Sequence, residues 1–238
     1  MPRAIWSGTI SFGLVNVPVK LHTATEEKDV AFHQFSEKGD RIKNKRVSEK
    51  TGREIDFKDI VKGYEVSKGK FVIVTPEELE SVDPGPRRTI EIEDFVELSE
   101  IDPIYYVKTY YLAPDKSEGA SRAYALLREA MSKSDKVAVG RFVMRTKQYL
   151  VALRPLDKVL TLTTLYFSDE VRDWRDLDVP GAIKLQPREM EIAERLIDSL
   201  TTKWKPEKYD DTYRARVLKL MKDKAKGKEI VLEEHEEP

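Results

Sequence analysis

Seven basic residues fall within sixteen positions of this chain. Lys38, Arg41, Lys43, Lys45, Arg46, Lys50 and Arg53 are opposed only by Asp40 and Glu49, a local net charge of +5. Arg41, Lys43 and Lys45 recur at every second residue, so on an extended strand they project from one face. The repeat there is roughly 6.6 Å, two residues at about 3.3 Å each, which is the scale of successive phosphates along one nucleic-acid strand. Lys and Arg on phosphates gain affinity by releasing counterions, and such contacts carry no base information. The competing reading is a solvated basic edge strand that discourages aggregation.

A second basic stretch runs from Lys203 to Lys228, with ten basic residues against Glu207, Asp210, Asp211 and Asp223, a net +6. Within it Lys205, Tyr209, Tyr213 and Arg214 mix cations with aromatic rings, the side chains that anchor protein interfaces. The alternatives are a helical face that contacts nucleic acid directly, and an amphipathic helix packed through Tyr213, Val217 and Leu220 with its lysines in solvent. Between the two stretches, Glu77–Asp102 holds ten acids against Arg87 and Arg88, a net −8, and the sequence closes on Glu233, Glu234, Glu236 and Glu237. If the basic segments meet a polyanion, the acidic stretch must face away from it.

These segments cancel to a formal net charge of −1 over 238 residues, of which 36% are charged. A total so close to zero argues against a nucleic-acid partner only if charge is spread evenly, and it is not. Zero cysteines exclude a disulfide framework, a thiolate metal site and a cysteine nucleophile. The chain has no phosphate-cradling glycine loop, no H-E-x-x-H and no G-x-S-x-G. His22, His33 and His235 are scattered without metal-ligand spacing, and no carboxylate pair stands out from the many acids. The expectation is no catalytic residue, no metal and no cofactor. No apolar run approaches the ~18 residues of a membrane span and no signal-peptide core opens the chain, so the expected compartment is the cytoplasm.

Ile5–Leu21 reads as extended chain whose apolar phase slips by one residue beside Gly13, the sign of a bulge or bend, with Pro18 marking an edge or strand end. Asp40–Val61 reads as a hairpin: a basic strand, a turn at Ser48–Gly52, and a return carrying Ile55 and Phe57. Phe71–Val74 reads as a short buried strand. Thr75, Pro76 and Glu78 satisfy a helix N-cap, N1 and capping box, and Asp83–Pro86 would stop that helix. Strands are expected over Thr89–Val96, Ile104–Leu112, Val137–Arg145, Gln148–Leu153 and Val159–Phe167. Ser121–Ser134 has a helical stripe of Ala123, Tyr124, Leu127, Ala130 and Met131. Two helices close the chain, Pro187–Leu200 and Tyr209–Lys226, the latter ended by Gly227. Short strands in succession around one internal helix predict a mainly β fold with α additions, an antiparallel barrel or sandwich with C-terminal helices.

The segment Ile5-Trp6-Ser7-Gly8-Thr9-Ile10-Ser11-Phe12-Gly13-Leu14-Val15-Asn16-Val17-Pro18-Val19-Lys20-Leu21 resembles the opening of the prokaryotic Ku family, the DNA-end-binding proteins of non-homologous end joining. The likeness continues in order through Asp59-Ile60-Val61-Lys62-Gly63-Tyr64-Glu65, Glu100-Ile101-Asp102-Pro103-Ile104-Tyr105-Tyr106 and Tyr110-Tyr111-Leu112-Ala113-Pro114. It extends to Pro206-Glu207-Lys208-Tyr209-Asp210-Asp211-Thr212-Tyr213 and so covers almost the whole chain. The resemblance implies a barrel (residues 1–184) that includes a bridge hairpin over about 36–62, and a helical region over 185–238 with an acidic end. It implies a ring-shaped homodimer that threads duplex DNA ends and recruits a multifunctional ATP-dependent DNA ligase. By position the basic residues Lys38 to Arg53 would lie on the bridge over the DNA. Lys205, Tyr209, Tyr213 and Arg214 are the candidates for ligase contact; a scaffold that recruits ligase with only weak DNA binding is the alternative. Two departures stand out. Many members carry Cys-x-x-Cys at the hairpin turn, where this chain has Ser48 and Thr51, and many end in a Lys-rich tail, where this sequence has Glu233 to Pro238.

Overall fold

The computed structural model describes residues 3–82, 88–145 and 147–227. The expected helix stop at Asp83–Pro86, His235 and the acidic end lie outside them. The chain divides into two compact units, Met1–Glu26 with Ile55–Asp173, and Glu27–Glu54 with Trp174–Pro238.

The first unit is built on a closed seven-stranded barrel. Its strands are β1 (Trp6–Phe12), β2 (Val15–Thr23), β5 (Thr89–Glu97), β6 (Tyr106–Pro114), β7 (Lys136–Met144), β8 (Lys147–Leu156) and β9 (Val159–Leu165). Around the barrel the order is β1-β2-β6-β9-β8-β7-β5. Every pairing is antiparallel except the closing one, where Thr9–Ser11 of β1 run parallel to Thr89–Glu91 of β5. Inward-facing residues fill the interior: Ile10, Val19, Leu21, Ile90, Leu112, Phe142, Val151, Leu153, Leu160 and Leu162 are all buried. Helix α2 (Ala120–Ser134) adds Tyr124, Leu127 and Met131 to the same cluster. Each large aliphatic side chain so buried contributes roughly 1.5–3 kcal/mol.

The phase slip at Gly13 is a full reversal of the chain rather than a bulge. Phe12 pairs with Val15, so Gly13 and Leu14 form a two-residue hairpin loop, with Gly13 at φ +56°. Glycine at positive φ in the first loop position is the type II′ arrangement whose twist matches the flanking strands. Pro18 sits inside β2 opposite Thr9, where Thr9 N–H turns away to Arg88 O at 2.9 Å and Asp115 N–H donates to Pro18 O at 2.9 Å. The ring nitrogen of Pro18 therefore faces the side of β6 just past the end of the β2–β6 ladder at Val19–Pro114, where no donor is missed.

A separate two-stranded sheet pairs β3 (Lys62–Ser67) with β4 (Lys70–Val74). The strand expected at Phe71–Val74 is present, but Phe71, Val72 and Ile73 are exposed. A two-stranded ribbon has no second layer of its own to cover it. Phe57 lies in a 3-10 turn, Phe57–Asp59, and not in a returning strand. Helix α1 (Pro76–Ser81) begins on the expected cap: Thr75 Oγ1 accepts from Glu78 N–H at 3.2 Å, and Glu78 Oε2 accepts from Thr75 N–H at 2.9 Å.

The second unit contains the 27–54 segment and helices α3 (Pro187–Leu200) and α4 (Thr212–Lys226). The apolar stripe of α3 is exposed at Met190, Leu196, Ile197 and Leu200. Helix α4 starts three residues later than the periodicity suggests. Asp211 caps it by accepting from Arg214 N–H at 2.8 Å, after a 3-10 turn at Pro206–Lys208. Gly227 ends it with an ordinary φ of −99°.

Candidate nucleic-acid interface

All seven basic residues of the Lys38–Arg53 segment are exposed. The segment is not a continuous ladder. Two small turns carry it, each closed by one isolated bridge, Phe35 to Arg41 and Val47 to Glu54. In the first turn Ser36 Oγ accepts from the N–H groups of Lys38 at 3.3 Å and Asp40 at 3.1 Å, and Ser36 N–H donates to Asp40 O at 2.8 Å. Lys38 is thereby presented at a tip. In the second, Ser48 N–H donates to Arg53 O at 2.8 Å and Gly52 N–H to Ser48 O at 2.7 Å, which presents Lys50 at the tip and Arg53 on the return. Residues 42–46 between the bridges have no regular secondary structure, so the expected one-face strand projection of Arg41, Lys43 and Lys45 has no ladder behind it. A ladder here would need a neighbouring strand on one flank, and like charges directly opposite each other disfavour such pairing.

The cations differ in availability. Lys45 Nζ lies 2.7 Å from Glu54 Oε2. The hydrogen bond and the negative charge of Glu54 together raise the Lys45 pKa, so this ammonium stays charged but is already matched. Both side chains are exposed, and such a pair contributes little to stability.

Of the residues singled out in the C-terminal stretch, Tyr209 and Tyr213 are exposed aromatic surface and Lys205 is exposed beside them in sequence. Arg214 is not: its Nη1 donates to Lys28 O at 3.4 Å and its Nε lies 4.0 Å from Asp211 Oδ2. That guanidinium links α4 to the start of the 27–54 segment. Trp204, which the charge pattern did not point to, stacks on Tyr209 with ring centroids 5.1 Å apart and planes 21° from parallel, and it is 75% exposed. The signal for it was simply a Trp within a polar, basic stretch.

Residues 11–196 match the family model of the Ku70/Ku80 beta-barrel domain. The chain is 48% identical over 238 residues to "Non-homologous end joining protein Ku 1" of Saccharopolyspora erythraea, covering 98% of this chain and 72% of the relative. It is 47% identical over 232 residues to "Non-homologous end joining protein Ku" of Anaeromyxobacter sp., covering 97% and 78%. The chain belongs to the Ku family. An archaeal Ku of the same name, from Archaeoglobus fulgidus, is 42% identical over 234 residues and is covered to 92%. The SPOC domain of human PHD-finger protein 3 also aligns, at a TM-score of 0.34 and 13% identity over 68% of this chain and 95% of that one, too slight a likeness to build on.

The Ku assignment gives the Ser48–Gly52 turn its interest. Ser48 Oγ accepts from Thr51 N–H at 3.3 Å and Thr51 Oγ1 from Arg53 N–H at 3.4 Å. Hydroxyls therefore shape this Ku turn at the two positions where other members were expected to hold cysteines. Among the described residues no three His, Cys, Asp or Glu side chains gather as a metal site, and no helix is long and apolar enough to cross a membrane.

Proposed function

We propose that this Ku-family chain acts in non-homologous end joining by holding the ends of broken duplex DNA. Two copies form a ring, the duplex threads through it, and an ATP-dependent DNA ligase is recruited to the bound end. The role is binding rather than catalysis. In this reading residues 1–184 supply the barrel and the bridge, residues 185–238 supply the ligase-facing helices, and the protein works at the nucleoid in the cytoplasm. The observation that carries the reading is the exposed Lys38–Arg53 segment, +5 in a chain of net −1, in a member of a family whose relatives are named for end joining. Two copies double that charge at the hole, and a closed two-fold arrangement is the simplest ring that one chain can build. Phosphate contacts suit the task because breaks fall at any sequence.

A gel-shift comparison of linear and covalently closed circular DNA of equal length tests the threading. Linear DNA should be retained and the circle should not, and equal affinity for both would sink the ring. Reversing the charge at Arg41, Lys43 and Lys45 should weaken binding to every sequence alike. A second reading, a ligase-recruiting scaffold with weak DNA contact, draws on the exposed Trp204–Tyr209 stack and on Tyr213. Removing residues 206–238 separates the two: DNA retention survives under the first reading while ligase stimulation falls.

A further inference from the structure

On the outer face of the barrel, the segment between β5 and β6 overhangs strands β7, β8 and β9 and leaves a half-open cavity of about 500 Å³. That volume is within the range of ligand pockets. Its floor is mainly apolar: Val137 and Ala152 are buried, beside the hydroxyls of Thr109 and Thr163, which bond each other at 3.0 Å. Leu98, Ile101 and Pro103 form the overhang. Arg154 of β8 lines the same cavity and is half-buried.

Its guanidinium makes no ion pair or hydrogen bond among the described residues, although its backbone oxygen accepts from Thr161 Oγ1 at 3.1 Å. The neighbouring cations on this part of the barrel are matched, Lys136 to Glu97 at 2.7 Å and Arg141 to Glu93 at 2.9 Å. Among the described residues the acids of the overhang do not pair with Arg154 and instead each accept a backbone N–H. Glu100 Oε2 accepts from Glu97 N–H at 2.8 Å and Asp102 Oδ1 from Ile104 N–H at 2.9 Å. The fold thus leaves one fork-shaped cation, partly withdrawn from water, at the rim of an apolar hollow without an internal anion. A guanidinium in that position binds a carboxylate with two parallel hydrogen bonds.

We propose that this cavity docks a short segment of a partner protein in which a leucine or phenylalanine lies beside a glutamate or aspartate. The apolar side chain fills the floor over Val137 and Ala152, and the carboxylate meets Arg154. The hollow is open along one side, which admits an extended peptide. A nucleic-acid phosphate would satisfy Arg154 but leave the apolar floor uncovered. The inference stands independently of the DNA-binding reading, since none of its residues belongs to the basic segment.

The test uses the full chain and a panel of blocked hexapeptides placing Leu or Phe one or two residues from Glu, each with a Gln-for-Glu control. Methyl NMR should report shifts at Leu98, Ile101, Val137 and Ala152 on adding the acidic peptides. Affinity should fall roughly tenfold or more on changing Glu to Gln in the peptide or on R154Q in the protein. A second variant, L98S at the exposed rim, should weaken binding while thermal stability holds. Retention of linear DNA should be unchanged in R154Q. Absence of binding by every acidic peptide overturns the proposal, as does equal binding of the Gln controls. Hexanoate binding as tightly as the peptides would make this a small-molecule site, and loss of DNA retention in R154Q would make Arg154 a phosphate contact.

Discussion

Single atoms decide two properties of this chain. Tyr124 Oη donates to Leu112 O at 2.6 Å and accepts from Leu160 N–H at 2.6 Å, and Leu112 and Leu160 are ladder partners of β6 and β9. The phenol is inserted into the rung and relays it. Y124F leaves a buried donor and a buried acceptor unmatched, and should cost about 2–4 kcal/mol in a denaturant melt. Burial also raises the Tyr124 pKa, the first cause, against smaller lowering by the Leu160 contact and Arg128. A raised value means that the native state holds the proton more firmly than the unfolded chain. The stabilisation is then present below the ordinary value of 10.0 and is lost as pH climbs through the higher native value. Stability should therefore fall in alkali above about 10, with a shallower fall in Y124F; Tyr110, raised chiefly by burial, supplies the remainder. On the DNA side, Lys45 is engaged by Glu54. K43Q should reduce the slope of log affinity against log salt by about 0.9 if Lys43 meets a phosphate, with K45Q doing less. E54Q should free Lys45 and tighten binding, as read by anisotropy of labelled linear duplex.

Elements show where sequence reasoning reached its limit. Capping chemistry was legible at Thr75, Pro76 and Glu78 because it is local and each group answers a specific orphan. The barrel strands and α2 were legible because their apolar periodicity faces a single core. The reversal at Gly13 looked like a bulge because a two-residue turn and an inserted residue shift the apolar phase alike; only the Phe12–Val15 pairing separates them. Phe71–Val74 looked buried because an apolar run reports what a strand could cover, not whether a second layer exists. The basic segment looked like a strand from its spacing of two, but spacing cannot say whether a neighbour supplies the ladder. A true bulge does occur, unforeseen, in β5. Ile92 faces Gly140 and Asp94 faces Val139, with Glu93 extra, and Glu93 reaches Arg141 at 2.9 Å. A Cβ on Gly140 would lie 2.0 Å from Glu91 O, a backbone atom that cannot step aside. G140A should therefore destabilise the barrel by roughly 1–3 kcal/mol, seen as a lower melting temperature with the fold retained.

For the whole molecule, charge and apolar surface make complementary statements. The net charge of −1 offers little long-range attraction, so affinity for a polyanion depends on where a few cations are held. A closed barrel leaves no sheet edge to recruit strays, yet β3–β4 and α3 expose Phe71, Val72, Ile73, Leu196, Ile197 and Leu200. Apolar surface of this kind marks association sites, in keeping with the proposed homodimer. V72E should shift the sedimenting species toward monomer on dilution while the barrel's melting temperature is preserved. An unchanged mass distribution would place the dimer contact elsewhere.

The parallel seam of the barrel sets a schedule on the ribosome. β1 meets β2 as soon as both emerge, but its other flank waits for β5, since Thr9 pairs with Thr89. At about 5–20 residues per second the intervening chain takes roughly 4–16 s to make. β9 comes later still, although it lies between β6 and β8. The nascent N-terminal hairpin therefore stands for seconds with an unpaired flank, and in a crowded polysome it is the first place where two growing chains could join strands wrongly.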